Sequence, residues 1–226
     1  MDPIVVIGIA VVVIPSITSH EAAHGFAADR LGDPTARSLG RLTLNPIPHI
    51  DLFFTILMPA FLLLTGSRIL FGGAKPVPVN VGRLRNPRRD WAIVGAAGPL
   101  TNLALALLLS ILLSLLVHAG GLETDSTLVE ILAVGVYVNV LLFVFNLVPI
   151  PPLDGSRVLQ LFLSGPSLAA YQRLERYGLF VIVALVFFFP PVQILLSVLI
   201  REVTLAVTLP FGAAPIVEAG LRNLVG

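Results

Sequence analysis

"IVVIGIAVVVI" (residues 4–14) runs directly into "PSITSHEAAHGFAADRLGD" (residues 15–33), and this junction decides how the chain is read. The first stretch is unbroken hydrocarbon; the second carries His20, Glu21 and His24. Asp2, the lack of a basic start and the absence of a clear cleavage site argue against a removed leader, so residues 4–28 are expected to stay in the membrane as a helix. Histidines at i and i+4 lie one turn apart on the same helix face. Their imidazoles can grip one metal ion, and a glutamate beside the first can take a proton from a water held there. Each ionisable group at mid-bilayer costs about 2.5 kcal/mol or more. Three of them within five residues of an apolar helix therefore point to function rather than packing.

The rest of the composition agrees. Of 226 residues, 56% are hydrophobic and 12% charged, where a soluble domain carries about 25% charged residues. Such a chain cannot cover a water-facing surface, and it is expected to be an integral membrane protein. A net charge of +1 and no basic run with interleaved aromatics give no sign of nucleic acid. With no cysteine, thiolate metal sites, disulfides and cysteine nucleophiles are excluded.

Crossing the hydrocarbon takes about 20 mostly apolar residues. The candidates are Ile4–Ala28, Leu52–Phe71, Trp91–Val117, Thr127–Ile150 and Gly178–Pro210, the last expected to break into two helices at Pro190-Pro191. Trp91 reads as an interface anchor. Lys and Arg in short loops favour the cytoplasm. Arg30, Arg37 and Arg41 follow the first candidate; Arg68, Lys75, Arg83, Arg85, Arg88 and Arg89 follow the second; Arg157, Arg173 and Arg176 follow the fourth. The loop 118–126 has neither Lys nor Arg. If 52–71 dips in and returns, every one of those basic groups is cytoplasmic; if it crosses, they are split between the two sides. Pro59 suits a re-entrant hairpin, which is the expectation here.

Catalytic zinc needs three protein ligands plus water. Of the remaining histidines, His118 falls in the predicted outer loop and His49 in a surface loop with Asp51. Asp154, in "NLVPIPPLDGSR" after the fourth span, is the better third ligand. His20 and His24 lie about 25 and 30 Å along the first helix at 1.5 Å per residue, near its inner end. Only the re-entrant topology brings Asp154 to that depth.

Three elements together carry a family resemblance: HEAAH at 20–24, "GPLTN" at 98–102 and "NLVPIPPLDG" at 146–155. The chain resembles the site-2 proteases, intramembrane zinc metalloproteases of peptidase family M50. "LGDPTARSLGRLTLNPIPHID" (31–51) and "AKPVPVNVGRLRNPRRD" (74–90) are similar to the compact prokaryotic branch without PDZ or CBS domains. The resemblance implies an all-α polytopic membrane protein in a prokaryotic cell membrane. Its core would be three helices plus a re-entrant segment, followed by about two C-terminal helices, all in one domain over 1–226 (core 4–160, C-terminal helices 171–210). It implies one Zn2+ per chain held by His20, His24 and Asp154, and Glu21 as general base. Asn146 matches an asparagine thought to steady the substrate or the oxyanion, and Asn102 matches the asparagine of the GPxxN element, so the resemblance implies catalytic-site roles for both; an interhelical hydrogen bond is the alternative reading of each. Asn139, seven residues before Asn146, shares its helix face; it either lines the same cavity or, the reading preferred here, is packing. The chain departs from the compact branch at Val81, where proline is expected, and after Asp51, where a Pro-x-Gly is expected.

The function expected from these residues is endoproteolysis of transmembrane segments near the cytoplasmic face, with transmembrane proteins and the lipid bilayer as partners. A metal transporter or channel using the same His and Asp residues, and a silent scaffold, are the alternatives. "AKPVPVN" (74–80) alternates like an edge strand that could accept an unwound substrate, or else is a proline-stiffened connector.

Overall fold

In a computed structural model the described residues, 3–57, 61 and 73–225, are helical apart from turns and connectors. Among the described residues, four helices are long and apolar enough to cross a membrane. Helix α1 (Pro3–Arg30) carries the HEAAH motif. Ser16 and Thr18 return their hydroxyls to Val12 O and Ile14 O, both at 2.8 Å, and so hide those groups within the helix. Gly32 stops it with a left-handed φ of +112°, which a side chain would strain. Short α2 (Thr35–Ser38) follows.

Helix α3 (Pro87–His118) starts with proline in its first turn, where no N–H is needed. Asp90 accepts the Asn86 N–H at 2.8 Å, closing that end. Helix α4 (Thr127–Asn146) leads through the proline turn into α5 (Asp154–Gln160) and then α6 (Gly165–Arg173). The sequence break at the paired prolines is borne out: α7 (Gly178–Phe188) and α8 (Pro190–Thr208) meet at Phe189. A further helix, α9 (Ala214–Val225), lies beyond the expected C-terminal pair. Its Ile216 and Val217 are buried with Val129, Leu132 and Val136 of α4 and Leu113 of α3. Gly220 allows the close approach, since a Cβ there would sit 2.8 Å from the Ala133 Cβ.

This apolar core fills the bundle from α3 and α4 to α8 and α9. Helix α1 packs on α3 and α4. The end of α1 and the start of α3 are adjacent: Arg85 N–H donates to Leu31 O at 3.0 Å. The chain between them therefore leaves and rejoins one end of the bundle. The re-entrant segment expected over 52–71 lies mostly outside the described residues, but its flanks meet, with Thr55 Oγ donating to Gly73 O at 2.6 Å. Residues 52–57 form a turn of π-helix.

Residues 73–80 form a strap without strand pairing among the described residues. Arg41 holds Lys75 O at 2.8 Å, Glu21 accepts the Val77 N–H at 2.9 Å, and Asp33 accepts the Asn80 N–H at 2.5 Å. The Lys75 N–H goes to His49 O at 2.8 Å. Pro76 and Pro78 have no N–H. The edge-strand idea meets a physical obstacle here, because these donors are already engaged. His49 is not a surface group: it is 2% exposed, with Nε2 3.0 Å from Thr43 O.

Candidate metal centre

The i, i+4 spacing puts His20 and His24 on the α1 face that meets α3. His24 Nδ1 is 2.7 Å from Val94 O. A carbonyl only accepts, so Nδ1 carries the proton and Nε2 presents its lone pair. His20 Nδ1 lies 2.6 Å from Asn102 Oδ1 on α3. The two Nε2 atoms are 3.1 Å apart, and Asp154 Oδ2 lies 3.0 Å from that of His20 and 3.2 Å from that of His24. All three side chains are buried, and one ligand atom from each lies within 4.8 Å of the others. Asp154 is 134 positions along the chain from His20, so the fold alone brings them together.

The other Asp154 oxygen, Oδ1, is 3.1 Å from Arg157 Nη1, one turn along α5. Arg157 in turn lies over the Trp91 ring at 4.4 Å. Burial works against the Asp154 charge, and the Arg157 guanidinium beside Oδ1 favours the ionised carboxylate. The donor chemistry fits zinc: two imidazole Nε2 lone pairs and one carboxylate oxygen, with no thiolate in the chain.

Glu21 is half-buried at the rim, and Val77 N–H holds its Oε2. Asn102 and Asn139 are fully buried. Asn102 therefore meets His20 inside the bundle. Asn146 is half-buried at the C-terminal end of α4, and its amide donates to Leu142 O at 2.9 Å. Sequence reasoning passed over Gly98, Arg157 and Val77. A Cβ on Gly98 would lie 2.5 Å from His24 Nε2 and 2.7 Å from His20 Cε1, so this glycine makes the room the histidines occupy. The i, i+3 spacing of Asp154 and Arg157, and the prolines flanking Val77, were the available signals.

Fold and site thus define a membrane-helix bundle with a buried two-histidine, one-carboxylate centre and a glutamate at its edge. The chain belongs to peptidase family M50, whose sequence model matches residues 8–189. It is 40% identical to "Putative zinc metalloprotease YwhC" of Bacillus subtilis over 81% of this chain and 80% of that protein. It is 30% identical to "Putative zinc metalloprotease Rip2" of Mycolicibacterium smegmatis over 81% of this chain and 69% of that protein. With the Rip2 of Mycobacterium tuberculosis the identity is 31%, over 84% of this chain and 71% of that protein. No solved structure matches the chain. The metalloprotease reading made from the motifs is borne out, and the protein is an integral membrane protein.

Proposed function

We propose that the protein is an intramembrane zinc metalloendopeptidase that cuts transmembrane segments of other proteins near the cytoplasmic face. The convergence of His20, His24 and Asp154 in a buried cluster carries this reading. Those three side chains hold one Zn2+. Bound there, the ion would lower the pKa of a water to about 7 and polarise the scissile carbonyl. Glu21 takes the proton of the attacking water on its carboxylate and returns it to the leaving amine nitrogen. Arg157 fixes Asp154 through Oδ1 and leaves Oδ2 to the site. Asn102 holds the His20 ring, a positioning role; Asn146 is the candidate for contact with the substrate backbone.

Basic residues that flank the site end of the bundle, among them Arg83, Arg85, Arg88 and Arg89, support the cytoplasmic side. Substrate helices must unwind locally before a carbonyl can be attacked, so helix-weakening residues are expected near the cleavage point.

The test is hydrolysis of a synthetic transmembrane helix in lipid vesicles by the parent and by Glu21→Gln, with zinc content measured alongside. Proteolysis predicts stoichiometric zinc in both proteins and activity lost by about 100- to 10,000-fold in the variant. Zinc flux into vesicles that survives Glu21→Gln would favour transport instead. No hydrolysis by the zinc-loaded parent on any helical substrate would favour a scaffold.

A further inference from the structure

Beyond Asn102, the one member to which the proposed reaction gives a role, a buried polar chain continues into the bundle from His20. Asn102 Nδ2 is 2.9 Å from Asn139 Oδ1 and 3.3 Å from Ser16 O. Asn139 Nδ2 is 2.8 Å from Ser16 Oγ and 2.8 Å from Gly135 O. Ser16 Oγ donates to Val12 O at 2.8 Å. Asn102 and Asn139 are each 0% exposed, and Ser16 is 3%.

The direction of every bond follows from two backbone carbonyls, which can only accept. Gly135 O requires the Asn139 NH2 to point at it. Asn139 Oδ1 must then face Asn102. That oxygen and Ser16 O both require the Asn102 NH2, which turns Asn102 Oδ1 toward His20. His20 must therefore carry its proton on Nδ1, and its Nε2 lone pair faces His24 and Asp154. Reversing either amide would set oxygen against oxygen in a buried site. In the orientation given, each N–H or O–H in the chain meets an acceptor.

We infer that Asn139 of α4, with Ser16 of α1, is a positioning residue for the metal centre. It fixes the amide of Asn102, and through it the tautomer and ring orientation of His20. This rests on the zinc reading above. It also accounts for two asparagines in hydrocarbon, where a single interhelical hydrogen bond contributes only about 0.6 kcal/mol.

The experiment measures zinc affinity by chelator competition on the full chain in lipid nanodiscs. The parent, Asn139→Leu, Asn102→Leu, the double variant and Ser16→Ala are compared. Ser110→Ala serves as a control, because Ser110 is equally buried but bonds only Ala106 O of its own helix. Asn102→Leu is expected to weaken zinc binding by about 10- to 100-fold, as the loss of an outer partner of a metal-binding histidine typically does, and Asn139→Leu by a measurable part of that. The double variant should be little weaker than Asn102→Leu alone, because Asn139 acts only through Asn102. Ser16→Ala should show a smaller loss, and Ser110→Ala none. Unchanged affinity in Asn139→Leu, or fully additive losses in the double variant, would overturn the inference. Should Asn139→Leu fail to fold, Ser16→Ala decides: parental affinity there counts against the relay. A parent that binds no zinc at all refutes the metal reading itself, a distinct result.

Discussion

The two sides of the site are built differently. The ligand side is all helix: His20 and His24 on α1, Val94, Gly98 and Asn102 on α3, Asp154 and Arg157 on α5. Its side chains are buried apart from the half-buried Arg157, and each histidine's Nδ1 meets a fixed oxygen. The base side is a strap of irregular backbone over 73–80, tied at three places by side chains. Helices can hold a metal set to a few tenths of an ångström because packing locks their rotamers. A strap held by a few hydrogen bonds can shift without disturbing that set.

The comparison predicts that changes on the ligand side act on zinc binding and changes on the strap act on turnover. The largest effect should come from Gly98→Leu. Its side chain would occupy the space of both imidazoles, and zinc content, read by mass spectrometry of purified protein, should fall to background. A zinc-replete Gly98→Leu protein would break the account of the ligand side.

Arg157→Met comes next. It frees Asp154 Oδ1 and removes the stack on Trp91, and zinc affinity should drop about 10- to 100-fold. Excess zinc should restore much of the activity. Val77→Pro is the matching change on the strap, since it deletes the N–H that holds Glu21. Turnover should fall by roughly 10-fold, the order expected for a general base losing one orienting bond, while zinc affinity stays parental. A loss of zinc in Val77→Pro would show that the two sides are not separable.

The smallest effect concerns acid. Asp33 anchors the far end of the strap through Asn80, outside the spans. Burial alone would raise its carboxyl, but the Thr35 hydroxyl, the Asn80 and Thr35 N–H groups and the Arg83 charge hold it below its ordinary value. A carboxyl lowered on folding stabilises above its unfolded pKa of about 3.9, and that contribution is lost as pH falls through the folded value. The parent's advantage in thermal midpoint over Asp33→Asn should be constant from neutral pH to about 5 and shrink below about 4. A gap that opens on acidification would reverse the sign and contradict the assignment.

Much of this was legible in the sequence because it is local. HEAAH declares itself by helical spacing, the apolar runs by length, and the proline turn by "PIPPLDG" at 149–155. The charge bias anticipated that Asp154 reaches the level of the histidines. What was hidden depends on pairings between distant segments. His20 and Asn102 are 82 positions apart, and Asn102 and Asn139 are 37, so no period links them. Asn139 reads as packing until its partners are known. Gly98 looks like any small residue at a helix contact, and only the position of the imidazoles shows what it makes room for. Val77 contributes a backbone N–H, which no side-chain pattern records. Helix α9 was missed because the apolar runs stop near Pro210, and its burial depends on α4.

The central claim is that one metal ion is held by two imidazoles from the first helix and a carboxylate from beyond the proline turn. X-ray absorption at the zinc edge of the Glu21→Gln protein tests it most directly. The account predicts one zinc per chain with two imidazole nitrogens at about 2.0–2.1 Å and oxygen ligands at about 2.0–2.2 Å, one of them lost in Asp154→Ala. Zinc bound with fewer than two imidazoles, or a spectrum unchanged by Asp154→Ala, would contradict it.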